Sequence, residues 1–309
     1  MMPKTRLARA GRILFPLAAL TALVSCSFVA QGAESRPKGT AFVFGVSEYK
    51  AHKLTFPDDD AVSLSALLNR RGWISKAVVN SNATKAAIKN AIEVAAANLD
   101  SSSSFLFYFS GHGEGGKDKE ACIIPYDGIK GKADLATENW ISASELKAWT
   151  AKLPTKNVIV ILDTCYSGGF IETGASLDLA PQNYGKLDDG IAPSFPLESL
   201  GYFNELLARS LASKDQEGPL HLSAAGSDEL SFEADTWSHG VFTYFLLEAA
   251  EDGDEDGDGK VSALEAFAYA KRRLADAWNK KRADWLYEGR YMDYLPRASG
   301  GFRDLVLYE

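Results

Sequence analysis

Two five-residue apolar runs, each ending abruptly in small polar residues, restrict what this chain can fold into more than any other feature. Val158-Ile159-Val160-Ile161-Leu162 leads into Asp163-Thr164-Cys165-Tyr166-Ser167-Gly168-Gly169, and Phe105-Leu106-Phe107-Tyr108-Phe109 leads into Ser110-Gly111-His112-Gly113. A strand without polar alternation is buried on both faces, as in a parallel sheet covered by helices on either side. In such sheets reactive side chains collect at the carboxyl ends of strands. These two strand ends offer a Cys and a His.

The rest of the chain alternates as a parallel sheet with crossover helices requires. Strands are predicted at Ala41–Val46, Lys76–Val79, Phe105–Phe109, Val158–Leu162, Leu220–Ser223 and Arg303–Tyr308. Amphipathic helices are predicted at Asp60–Arg70, Lys85–Asn98, Ser144–Ala151, Tyr202–Ala212, Val241–Glu251 and Ser262–Asn279. Asn82-Ala83-Thr84 and Ser142 read as helix starts and Gly72 as a stop. The stretch Gly168–Leu200, rich in Gly, Pro, Asp and Ser, fits no regular element, and a loop that long is functional or disordered. No internal repeat is visible. With 46% apolar and 24% charged residues, 309 residues suffice for one large core.

A thiol of ordinary pKa is only slightly ionised at neutral pH, and an adjacent imidazolium favours the thiolate. His112 paired with Cys165 would do this and then hand its proton to a leaving amine. The flanking glycines let backbone approach a substrate, so the N–H groups of Gly113 and Cys165 are candidates for receiving an oxyanion. The chemistry is acyl transfer, read as peptide hydrolysis. Taken singly, a His between glycines often just ends a strand and a buried Cys is often a small hydrophobe. Both after strong strands, fifty-three residues apart in the order His then Cys, match the spacing seen in caspases.

Tyr108-Phe109-Ser110-Gly111-His112-Gly113 and Asp163-Thr164-Cys165-Tyr166-Ser167-Gly168 resemble the caspase-like cysteine peptidases, in their metacaspase and paracaspase branch. Leu54 through Asp60-Ala61 to Gly72, and His239 through Glu248, are similar to further stretches of that family, so the resemblance spans about residues 40 to 308. It implies an α/β fold, a three-layer α/β/α sandwich around a mostly parallel six-stranded sheet, and makes the segment after Cys165 a linker that is often processed. Two residues before the nucleophile caspases carry Gln; here stands Asp163, which would repel an acidic P1 side chain and pair with Arg or Lys. The resemblance implies that Asp60 and Ser110 share this pocket with Asp163. Asp58, Asp59 and Asp60 are equally available as helix N-caps.

Lys4, Arg6, Arg9 and Arg12 precede an apolar stretch from Ile13 to Val24, the pattern of an export signal. Leu23-Val24-Ser25-Cys26 resembles a bacterial lipobox, which places a lipidated N-terminus at Cys26; the alternative is cleavage near Ala30 to Ala33 and a soluble exported protein. The chain then divides into a signal over 1–25, a linker over 26–39 and a peptidase domain over 40–309, carried on a membrane surface at the periplasmic or outer face of a bacterial envelope. Loss of the signal moves the formal charge from −8 to −12. So acidic a body disfavours nucleic acid and suits basic peptides or cations. With Cys26 lipidated, Cys122 and Cys165 are too few for a disulfide framework; Cys122, in Ala121-Cys122-Ile123-Ile124, reads as a packing residue.

Near the C-terminus, Asp254-Glu255-Asp256-Gly257-Asp258-Gly259-Lys260-Val261-Ser262-Ala263-Leu264-Glu265 fills every slot of an EF-hand loop. Asp254, Asp256 and Asp258 take positions 1, 3 and 5, Gly259 position 6, the Lys260 carbonyl position 7, Ser262 position 9 and Glu265 position 12. That spacing wraps hard oxygens around one Ca²⁺; an acidic surface turn is the plainer alternative. His52, His221 and His239 show no metal-ligand spacing and read as structural. Two further functions remain open: a catalytically silent calcium-binding surface module on the same fold, and an Asp-specific caspase-like peptidase. A serine hydrolase built on Ser110 or Ser167 is disfavoured, since neither lies in a Gly-x-Ser-x-Gly elbow.

Overall fold

The computed structural model describes residues 38–116, 119–164, 219–225, 231–280, 286–287, 290–291, 294, 296–300 and 305–309. By backbone contacts the chain separates into Met1–Arg36 and Pro37–Glu309, and every described residue belongs to the second unit. The six-stranded sheet consists of β1 (Thr40–Gly45), β2 (Ile74–Val79), β3 (Ser104–Gly111), β4 (Asn157–Thr164), β5 (Leu220–Ser223) and β6 (Arg297–Gly300). Its spatial order is β6-β5-β4-β3-β1-β2, with β6 alone antiparallel. The described helices are α1 (Pro57–Arg70), α2 (Lys85–Asn98), α3 (Ala143–Thr150), α4 (Val241–Asp252) and α5 (Ala263–Ala277).

The two apolar runs become the central strands because each supplies side chains to both helical layers. Leu106 and Tyr108 of β3, with Ile159 and Ile161 of β4, pack with Leu64 of α1, Phe242 and Phe245 of α4 and Phe267 of α5. Phe105, Phe107 and Phe109, with Val158, Val160 and Leu162, pack on the opposite face with Ile88 and Ile92 of α2 and Leu146 and Trp149 of α3. Alternation along a strand carries this one step further. Ser110 and Asp163 continue the Leu106–Tyr108 and Ile159–Ile161 series, so both project into the layer of α1 and α4. They are also register partners.

Helix starts follow local chemistry. Thr84 caps α2 by accepting from Ala87 N, and Ser142 caps α3 in a capping box with Glu145. Gly72, at φ +89°, ends the turn after α1.

Two expectations are corrected. The sixth sheet strand is Arg297–Gly300, not Arg303–Tyr308; Val306–Tyr308 instead pairs with Val261–Ser262, away from the sheet. The N-cap of α1 is Phe56, with Pro57 following, so none of Asp58, Asp59 and Asp60 caps the helix. The predicted helix Tyr202–Ala212 and the loop Gly168–Leu200 lie outside the described residues.

Candidate active site

Asp60 lies in the first turn of α1, fully buried, with Ala61, Leu64 and Leu68 on the face turned to the sheet. Its carboxylate accepts from Ser110 Oγ at 2.9 Å, from Gly240 N at 3.0 Å and from His239 Nδ1 at 2.9 Å. Asp163, 3% exposed, accepts from Thr243 N at 3.1 Å, from Thr243 Oγ1 at 2.6 Å and from Ser231 Oγ. The two carboxylates therefore satisfy donors at the start of α4, where unpaired N–H groups and the helix dipole favour negative charge. The caps come from α1 and β4, remote in sequence.

Burial raises the pKa of both acids. Asp163 is pushed up to about 7, first by desolvation and then by the neighbouring charge of Asp60. Asp60 is raised by the same desolvation, opposed chiefly by His239. Two like charges in one dry site resist ionising together, and a bound cation removes that conflict.

Gly240 threads between them. A Cβ there would stand 2.6 Å from Asp163 Oδ2 and 2.8 Å from Asp60 Oδ2, closer than real side chains tolerate. Gly240→Ala is expected to displace the start of α4 and to destabilise the fold by about 1–3 kcal/mol. A melting curve checks it; an unchanged Tm would mean that the helix start shifts freely.

The pocket, of about 120 Å³, is lined by Asp60, Ser110, His112, Asp163, Phe232 and Glu233 among others. That is room for one side chain rather than a whole small ligand. Sequence reasoning missed Glu233. It sits opposite Gly240 in the short hairpin Glu233–Ala234/His239–Gly240, and its carboxylate accepts from the backbone N–H groups of Thr55 and Phe56 at 2.9 Å. Only hairpin pairing brings this third acid to the pocket, and no local pattern announces it.

His112 follows β3 directly. Its backbone N donates to the Tyr49 hydroxyl at 3.0 Å, its ring packs on Tyr49 with centroids 4.8 Å apart, and Tyr49 Oη donates to the Ile124 carbonyl at 2.6 Å. The ring's Nε2 lies 2.6 Å from the His52 carbonyl oxygen. A carbonyl only accepts, so Nε2 carries hydrogen and proton exchange falls to Nδ1. His52 thus gains a role that its side chain did not reveal: it holds φ +55°, a conformation rare for a side-chain-bearing residue, with its carbonyl on the candidate base.

Gly113 opens the short strand Gly113–Gly116 beside His112. Cys165 lies outside the described residues; the last register pair of β3 and β4 is Gly111 with Thr164, one residue short of His112 and Cys165. Cys26 is likewise outside them. Cys122 is free and half-buried, and desolvation, then Glu120, pushes its thiol up to about 11, which suits packing rather than reaction. His221 is half-buried, and desolvation holds its pKa down at about 4.

In the acidic loop, carboxylate oxygens of Asp254, Asp256 and Glu265 lie within 4.8 Å of one another. Ligands on opposite sides of a Ca²⁺ at ordinary Ca–O distances stand roughly 5 Å apart, so the three fit one ion. Gly259 holds φ +83°, and Asp254 accepts from Gly257 N and Gly259 N. Asp258 accepts from Lys260 N at 2.8 Å. Ser262 and Glu265 also form the capping box of α5, so a helix start accounts for part of the same spacing.

The caspase-domain family model matches residues 38–294. No curated protein sequence matches. Among solved structures, one from Geobacter sulfurreducens is similar at TM-score 0.53 and 18% identity, covering 85% of this chain and 93% of its own. Caspase-1 from Spodoptera frugiperda is similar at TM-score 0.52 and 16% identity, covering 89% of this chain and 93% of its own.

Proposed function

Because the chain belongs to the caspase-domain family, we propose that it is a cysteine endopeptidase that cleaves after Arg or Lys. One observation carries this reading: the pocket that includes His112 is also lined by three carboxylates, Asp60, Asp163 and Glu233. A guanidinium or ammonium entering there meets acids already fixed in place by backbone and hydroxyl donors, so recognition needs little rearrangement. An acidic P1 side chain would bring like charge to buried carboxylates that already resist ionising together.

In the proposed reaction the Cys165 thiol passes its proton to His112 Nδ1, and the thiolate forms a bond to the scissile carbonyl carbon. Backbone N–H groups of Gly113 and Cys165 receive the oxyanion. The C–N bond breaks as His112 returns the proton to the leaving amine. Water, deprotonated by the same imidazole, then releases the acid and restores the thiol. Fluorogenic peptides differing only at P1 test the specificity; a preference for Asp over Arg would favour the Asp-specific alternative and overturn this one.

Calcium belongs to the same proposal. Asp254, Asp256, Asp258, the Lys260 carbonyl, Ser262 and Glu265 would hold it, and the ion would neutralise the crowded carboxylates. Two links run from the loop to the core. α4, whose first turn carries Gly240 and Thr243 against the pocket acids, ends at Asp252 beside the loop, and Val261 pairs with the buried Tyr308. Binding at micromolar to millimolar calcium is expected to raise both Tm and peptidase activity. Glu265→Gln should abolish the calcium-dependent rise in Tm. If it does so while the calcium response of activity persists, the loop is structural only.

The export signal and lipobox support a form anchored through a lipidated Cys26 to the cell envelope. Mass spectrometry of the mature protein is expected to find a diacylated Cys26 N-terminus; an unmodified start near Glu34 would mean a soluble exported enzyme.

A further inference from the structure

The two central acids of the pocket are equally buried but unequally accompanied. Asp163 is met by hydroxyls and one backbone N–H, from Ser231 and Thr243. Asp60 is met by Ser110, by Gly240 N and, in addition, by an imidazole: His239 Nδ1 stands 2.9 Å from Asp60 Oδ1. The His239 side chain is 18% exposed while that of Asp60 is not exposed at all, and His239 is absent from the pocket lining. It therefore stands behind Asp60, on the side away from a substrate.

We infer that His239 is the positioning residue that makes Asp60, rather than Asp163, the permanent anion of the specificity pocket, and so sets the preference for a positively charged P1 side chain. The inference rests on the basic-specific reading above and adds the device behind it. An ionised Asp60 only accepts, so in that state the imidazole presents hydrogen at Nδ1. That hydrogen bond exists in the neutral imidazole protonated at Nδ1 and in the imidazolium alike, so it holds Asp60 charged in either state of the ring. A charge-assisted bond to one member of a close carboxylate pair separates their behaviour, leaving one acid charged and the other ready to hold a proton. The empty pocket can then rest with a single negative charge from the pair and gain the second when a cation enters. Burial of two acids is tolerated and cation recognition is kept.

The hairpin delivers the imidazole. Ala234 pairs with His239, Glu233 pairs with Gly240, and Ser238 turns the chain at φ +52° immediately before His239. One short hairpin thus supplies Glu233 to the pocket wall, Gly240 between the two carboxylates and His239 behind Asp60.

The test uses the full-length protein and two fluorogenic peptides identical but for P1 Arg or P1 citrulline, which has the same shape without the charge. The readout is the ratio of their kcat/KM values, in which shared effects on the catalytic dyad cancel. His239→Phe keeps a ring and loses the donor; His239→Asn loses the ring and keeps an N–H close to the position of Nδ1. The Phe variant is expected to reduce the Arg-to-citrulline ratio about tenfold to a hundredfold, and the Asn variant to retain it within about threefold. Should the Phe variant fail to fold, His239→Ala takes its place, with folding checked by thermal melting. A wild type that prefers Arg, together with an unchanged ratio in the donor-less variant, overturns this inference alone. Collapse of the ratio in both Phe and Asn variants also overturns it, since the donor is then not what matters. A wild type that does not prefer Arg over citrulline overturns both this inference and the specificity it rests on.

Discussion

Cys165→Ala is expected to lower kcat/KM on an Arg peptide by roughly 10³- to 10⁶-fold, and His112→Ala by a similar factor, with the double variant no worse than either single one. Non-additivity is the diagnostic part. A nucleophile and the base that activates it act as a unit, so removing either removes the same step. His112→Ala should leave the fold intact because groups other than its ring also hold this corner. Tyr49 is fully buried, and its hydroxyl bonds the backbone N of residue 112 and the carbonyl of Ile124. Residual activity of more than a few per cent in Cys165→Ala would sink the nucleophile assignment. Loss of Tm in His112→Ala would mean that the ring is structural.

Asp163→Asn is expected to cut kcat/KM on Arg and Lys substrates by about 10²- to 10³-fold, the cost of losing one member of a buried charge pair, while making the empty enzyme more stable at alkaline pH. The sign follows from the shift. The Asp163 carboxyl is raised from an ordinary 3.8 to about 7, so between those values the folded chain holds a proton that the unfolded chain has released. Its contribution to stability is fully present below about pH 4 and is lost as pH rises through about 7. The asparagine does not titrate. Ser231 and Thr243 can turn their hydroxyls to suit an amide. Thermal melts from pH 4 to 8 should therefore show a steeper fall for the wild type than for the variant. A variant that loses both activity and stability at every pH would mean that Asp163 is a packing residue, not a substrate-binding one.

Much of this molecule was written in local pattern. Unbroken apolar runs required strands covered on both faces, and the structure places Phe105–Phe109 and Val158–Leu162 at the centre of the sheet between two helical layers. Helix starts at Thr84 and Ser142 were legible because a capping residue lies within three positions of the N–H it serves. The candidacy of His112 was legible from its place at the end of a strong strand and that of Asp163 from its place two residues before Cys165, whereas Ser110 was implied only by the family resemblance.

What the sequence could not decide is what meets across the chain. Asp58, Asp59 and Asp60 are alike as text, yet only Asp60 is fully buried, because α1 begins at Pro57 and its inward face falls on Asp60, Ala61, Leu64 and Leu68. Glu233 gave no signal and His239 read only as structural, because their places beside the pocket acids come from hairpin register and from contact with α1, far away in the chain. The sixth strand was misplaced to Arg303–Tyr308 because apolar pattern tells that a segment is extended but not which edge it joins. Val306–Tyr308 pairs with Val261–Ser262 instead, while Arg297–Gly300, with little apolar content, closes the sheet. Sequence fixes which residues prefer to be buried or extended, since those preferences act over a few neighbours. Charge in a buried pocket is fixed only by tertiary structure, because the energy of a carboxylate there depends on which remote donors and acids are packed within a few ångströms of it.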